Sequence, residues 1–161
     1  MQPMRRDVLA RFLRAGLVTA LADGLFSSVL SVAFYHSTVT RLWQGVASVV
    51  LGKSAFDGSS RTALIGLLLH VCVAFAWTAV FLFGVLRIAA VQRAVESWGG
   101  VMAVAAVYGP LIWVVMSLVV IPLLTHRPPT INIRWWIQFF GHMLFVGLPI
   151  VALTTRPARI N

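Results

Sequence analysis

Residues 62–86 read TALIGLLLHVCVAFAWTAVFLFGVL, a stretch without one charged side chain. A helix rises about 1.5 Å per residue, so roughly 20 apolar residues match a hydrocarbon core of about 30 Å. Three other runs, 15–35, 99–124 and 135–154, meet the same length. In lipid a backbone must satisfy its own hydrogen bonds, and a single run of this length does so as a helix. The reading is an all-α fold: a four-helix transmembrane bundle, with 1–161 as one integral membrane domain.

Composition points the same way. The chain has 161 residues, 60% hydrophobic and 11% charged, against about 25% charged in a soluble domain. Its formal charge of +9 comes from thirteen basic and four acidic residues. The basic residues lie at the ends of the apolar runs and between them, where lipid headgroups take them, so there is no basic face for nucleic acid. The one cysteine, Cys72, sits inside the second run and reads as a small apolar filler. No P-loop, GxGxxG, HExxH or CxxC is present. The pair Ser27-Ser28 lacks a positioned base, so no enzyme is expected.

Arg5, Arg6, Arg11 and Arg14 precede the first run, as in a signal peptide. The run is longer than an h-region of about 7–15 residues, and His36-Ser37-Thr38 follows it, so a retained first helix is expected. Val8, Leu9, Phe12 and Leu13 recur at helical spacing, which places the leading segment at the interface or on the first helix. With the N-terminus inside, eight basic residues fall inside, including Arg87, Arg93, Arg156 and Arg159. Five fall outside: Arg41, Lys53, Arg61, Arg127 and Arg134. That bias favours N-in, C-in.

Between the first two spans, residues 42–51 are apolar but too short to cross. Leu42, Val46, Val49 and Val50 share a face, which predicts an extra interfacial or re-entrant helix ended by Gly52. Asp57-Gly58-Ser59-Ser60 reads as a turn with Ser60 as cap. Pro128-Pro129 predicts a stiff connection, Trp135 and Trp136 a headgroup belt, and Pro110 a kink. Small residues on each span predict close helix packing: Ala20, Gly24, Ser28 and Ser31; Gly66, Ala74 and Thr78; Gly99, Gly100, Ala103 and Ala106; Gly141 and Gly147. No internal repeat is evident, which argues against an inverted-repeat transporter.

Asp23 is the one acidic residue inside a span. A charge there costs several kcal/mol unless paired, hydrated or neutralised, so it should face the bundle or a wet crevice. His70 and His142 fall at matching depth in two helices of the same direction, with Gln138 one turn before His142. These groups admit three readings: a proton or ion pathway through Asp23, His70, Gln138 and His142; axial ligation of a b-type haem by His70 and His142; or plain structural hydrogen bonding. His36 and His126 read as loop residues.

The second run with its His70, Pro128-Pro129, Trp135-Trp136 and Phe140-Gly141-His142 resemble bacterial inner-membrane proteins of the YagU type, over about the last hundred residues. The resemblance implies a small membrane protein of the bacterial inner membrane and adds weight to His142, without supplying a reaction. The function expected is non-enzymatic: a self-associating bundle (a homo-oligomer) or an accessory subunit among other membrane subunits, in contact with membrane lipid. The opposing readings are the proton or ion conductor and the haem-bearing electron-transfer subunit.

Overall fold

The computed structural model describes residues 2–58 and 60–155. The Arg5 side chain, Ser59 of the expected turn, and Arg156 and Arg159 of the basic tail lie outside the described residues. Among those described, every regular element is helical. Four are long and apolar enough to cross a membrane, Arg6–Phe34, Ser60–Arg87, Trp98–Thr125 and Ile133–Thr154, which makes the chain an integral membrane protein.

The first span is α1 (Gln2–Val29), extended by a π-helical turn over Leu30–Phe34. The leading segment therefore continues the first helix. Next comes α2 (Val39–Leu51). The Thr38 side chain accepts from the Arg41 amide at 3.0 Å, and Gly52 ends the helix at φ +64°. The second span is α3 (Ser60–Phe83), in which Ser60 is the first helical residue rather than a residue outside the helix. A short α4 (Ala89–Ala94) crosses to α5 (Trp98–Val115), whose Ser97 cap accepts from Gly100 at 3.1 Å. The third span ends with α6 (Ile121–Thr125), and the fourth comprises α7 (Ile133–His142) and α8 (Leu148–Thr154).

The prolines explain where two of these spans widen. Pro122 and Pro149 lack an N–H, and each ring would crowd the carbonyl four residues earlier, on Leu118 and Phe145. Both carbonyls lie inside π-helical turns, Met116–Val120 and Met143–Gly147, whose extra residue relieves that crowding. Pro110 behaves differently: it is buried and α5 runs through it unbroken, so the helix is not interrupted there. His36 and His126 are more than loop residues. Both adopt left-handed backbone, at φ 51° and 53°, just beyond the last turns of the first and third spans.

The first span packs between α3 and the fourth span, and the fourth packs against α5. The α3 and α5 helices meet mainly through side chains, with the Tyr108 hydroxyl donating to the Trp77 carbonyl at 2.8 Å. At one end the bundle closes on a packed core of Phe81, Val101, Ala105, Tyr108, Ile150 and Val151. At the other end α2 lies on α3, burying Trp43, Gln44 and Ala47. The approach is close because Gly66 has no side chain. A Cβ there would run into the Trp43 carbonyl. Gly66→Ala is therefore expected to push α2 off α3 and cost about 2 kcal/mol, read as a lower unfolding midpoint in detergent. An unchanged midpoint would contradict this packing.

Two packing expectations need correction. Of the expected Gly99, Gly100, Ala103 and Ala106, Gly100 packs closely, a Cβ there running into the Ala94 carbonyl, but Gly99 and Ala103 are exposed, and the third span packs chiefly by Val101, Ala105, Tyr108, Gly109 and Ile112. Trp135 turns inward, its indole donating to Ser117 Oγ at 2.9 Å, and only Trp136 faces outward. An indole N–H with a hydroxyl in reach gains more by bonding it than by facing hydrocarbon.

Candidate functional site

The candidate residues Asp23, His70, Gln138 and His142 all line one cavity of about 810 Å³. That volume lies within the range of small-molecule sites, about 300–1,000 Å³. The walls are mainly apolar and come from every span and from α2. The stripe Leu42, Val46 and Val49 faces into the cavity while the neighbouring face of α2 binds α3. The cavity reaches the connection holding Arg127, Pro128 and Thr130, and its floor is Trp77, Ile112 and Val146, the last two also part of the packed core.

Asp23 and His70 form the central pair. Their side chains are 13% and 15% exposed, and His70 Nδ1 lies 3.8 Å from Asp23 Oδ2. His70 Nε2 lies 3.0 Å from the Ala20 carbonyl. A carbonyl only accepts, so Nε2 carries a hydrogen and donates it. Nδ1 is then left facing the carboxyl group. At 3.8 Å the two groups are neighbours without a direct hydrogen bond. A charge at this depth costs several kcal/mol unless it is paired or hydrated. Trp43 packs on the His70 ring at 5.1 Å and fixes its plane.

The fourth span supplies the opposite wall. His142 Nδ1 donates to the Gln138 carbonyl at 2.8 Å, which leaves Nε2 free, and Trp113 packs on the ring at 4.9 Å. Gln138 Nε2 donates to Ser27 Oγ at 3.3 Å. Asp23, His70 and His142 share the lining of this one cavity. Among the described residues, six buried side-chain polar atoms have no hydrogen-bond partner. Five belong to cavity-lining residues: Thr19, Asp23, Tyr35, Trp113 and Gln138. Interiors rarely leave such atoms unpaired, so five around one cavity mark it as a place for water or a polar ligand.

Thr19 and Ser27 belong to this site and were missed as candidates, although they stand one turn before and after Asp23. The i, i+4 spacing is the signal that marks them. Trp43 and Trp113 carry no such signal, because their role depends on how α2 and α5 are rotated. Of the two histidines read as haem ligands, His142 keeps Nε2 unbonded, while His70 bonds the Ala20 carbonyl through Nε2 and holds Nδ1 3.8 Å from Asp23. Among the described residues, no three His, Cys, Asp or Glu side chains gather where they could hold a metal ion. Cys72 lies exposed on α3, away from the cavity lining.

No family model matches the chain, and no curated protein or solved structure matches it at a significant level.

Proposed function

We propose that this chain is a non-enzymatic membrane protein that takes up and releases a proton at the Asp23–His70 pair, reached through the cavity from one membrane face. The observation that carries the reading is the convergence of Asp23, His70, Gln138 and His142 on a single cavity ringed by unpartnered polar atoms. A bundle that served only as a scaffold would gain stability by filling that space with apolar side chains. Ser27, Gln138 and His142 extend the polar path from the pair to the fourth span. With the basic residues divided as above, the orientation is N-in, C-in. The cavity mouth then faces outward, and α2 is a re-entrant helix covering it. The YagU-type resemblance favours a reading in which the membrane is the bacterial inner one.

A second reading concerns partners. The floor of the cavity is closed by the packed core, so one copy offers the proton no continuous route. Passage across the membrane would need a movement of the spans, a second copy or another membrane subunit. This keeps the self-associating bundle and the accessory subunit as the forms in which the proton site acts.

The test is proton uptake by the purified chain in detergent after a pH jump, followed with a pH-sensitive dye in the surrounding solution. Wild-type protein is expected to exchange protons, and His70→Gln to slow exchange at least about tenfold, the scale of one lost proton-transfer group. Equal rates for the two proteins would overturn the reading.

A further inference from the structure

A second cavity of about 330 Å³ adjoins the first, between the end of α2 and the end of α6. The two share Ser48, Val49, Val50, Leu124, Thr125 and Arg127 in their walls, so they adjoin along that wall. Their chemistry differs. The smaller chamber carries Lys53 and Arg127 and no acidic residue, whereas the larger is walled chiefly by apolar side chains. The ion pairs among the described residues are Arg11–Asp7 and His70–Asp23, so neither Lys53 nor Arg127 has a carboxylate partner. Ser48 and Thr125 spend their hydroxyl hydrogens on the Gly45 and Ile121 carbonyls, which leaves the two cations as the side-chain donors of the chamber.

A third cation stands on the other side of the larger cavity. Arg134 lies over the Tyr35 ring, 4.1 Å from its centroid, and both residues line the cavity. Two unpaired cations beside an apolar chamber complement a molecule with an anionic head and an alkyl body. Phosphate suits the head, since lysine and arginine both donate to it.

We infer that the adjoining cavities bind an anionic single-chain lipid, its phosphate held by Lys53 and Arg127 and its alkyl chain lying along Val46, Val49 and Met116. The inference shares the cavity with the proton reading but not its chemistry. The head lies at the mouth, away from Asp23, and the chain needs only apolar wall. Lipid binding and proton exchange can therefore fail separately.

The experiment uses the full chain in a neutral detergent, with intrinsic tryptophan fluorescence and unfolding midpoint as readouts. Trp43, Trp77, Trp113 and Trp135 all line the larger cavity and report on its contents. Lysophosphatidic acid is expected to bind saturably and raise the midpoint. Lysophosphatidylcholine and inorganic phosphate are each expected to bind at least about tenfold more weakly, because each lacks either the net charge or the apolar burial. Lys53→Gln with Arg127→Gln should weaken lysophosphatidic acid at least about tenfold, the loss of a charge-assisted hydrogen bond. Val46→Trp, which fills the chamber, should weaken it comparably while the free protein stays folded. Cys72→Ser, on the exposed side of α3 and outside the cavity lining, should leave lipid affinity unchanged. Equal affinity for the zwitterionic lipid, or undiminished binding by the double variant, would overturn the proposal. So would inorganic phosphate binding as tightly as the lipid, which would assign the basic chamber to a free anion.

Discussion

Asp23→Asn is expected to remove proton binding at the pair while leaving the bundle as stable as before, or more so. The carboxyl group does little for stability. Asp23 Oδ1 has no partner, and Oδ2 at 3.8 Å from His70 lies beyond hydrogen-bond length. An acidic residue at the centre of a spanning helix costs about 2.5–3.5 kcal/mol on insertion scales, so its neutral isostere relieves a cost. The measurements are infrared titration of the purified protein and its unfolding midpoint in detergent. A pH-dependent carboxyl component seen in the wild-type-minus-Asp23→Asn difference spectrum, over the bands of Asp7, Asp57 and Glu96 that both proteins keep, with an equal or higher midpoint, is the expected pair of results. A midpoint lowered by several degrees with the titrating band intact would make Asp23 a structural group.

The largest stability loss is expected from Gly109→Ala. A Cβ at Gly109 would overlap the His142 carbonyl, and one at Gly147 would overlap the Ala105 carbonyl. Both contacts are backbone on backbone, so no rotamer change can relieve them. The third and fourth spans must separate, at about 3 kcal/mol, the upper end of ordinary overpacking. Separation also carries His142 away from Trp113, because the residue that Gly109 touches is His142 itself. Gly109→Ala should therefore show a clearly lowered midpoint and a changed tryptophan spectrum together. Gly99→Ala, at an exposed position on the same helix with open space around it, is the control and should change neither. Equal midpoints for the two variants would mean that the spans do not meet as described.

The spans were legible because bilayer thickness sets their length, and an apolar run such as 62–86 has no other stable use. Asp23 was legible as a candidate because a carboxyl group in such a run is costly and must be accommodated. The extra helix of residues 42–51 was legible from its amphipathic stripe and from Gly52. Rotation of the spans was not. A helix in lipid is apolar on every side, so its pattern does not say which face meets a neighbour. That is why Gly99 and Ala103 read as a packing stripe while the true face runs through Val101, Ala105 and Gly109. The same ambiguity hid the stacking of Trp43 on His70 and the inward turn of Trp135. Asp23, His70, Gln138 and His142 were each legible as polar residues at membrane depth. Their meeting in a single space depends on rotations that the chain encodes only through its packed interior.

The cavity's closed floor makes the two sides of the membrane electrically unequal. If water follows the polar path from the mouth to Asp23, the transmembrane voltage drops mostly across the short insulating layer around Phe81 and Tyr108. A full charge crossing 100 mV gains about 2.3 kcal/mol, and almost all of that would fall within this layer. The carboxyl–imidazole pair then sits at the electrical edge of the mouth side, answering to the acidity of that compartment and hardly at all to the other.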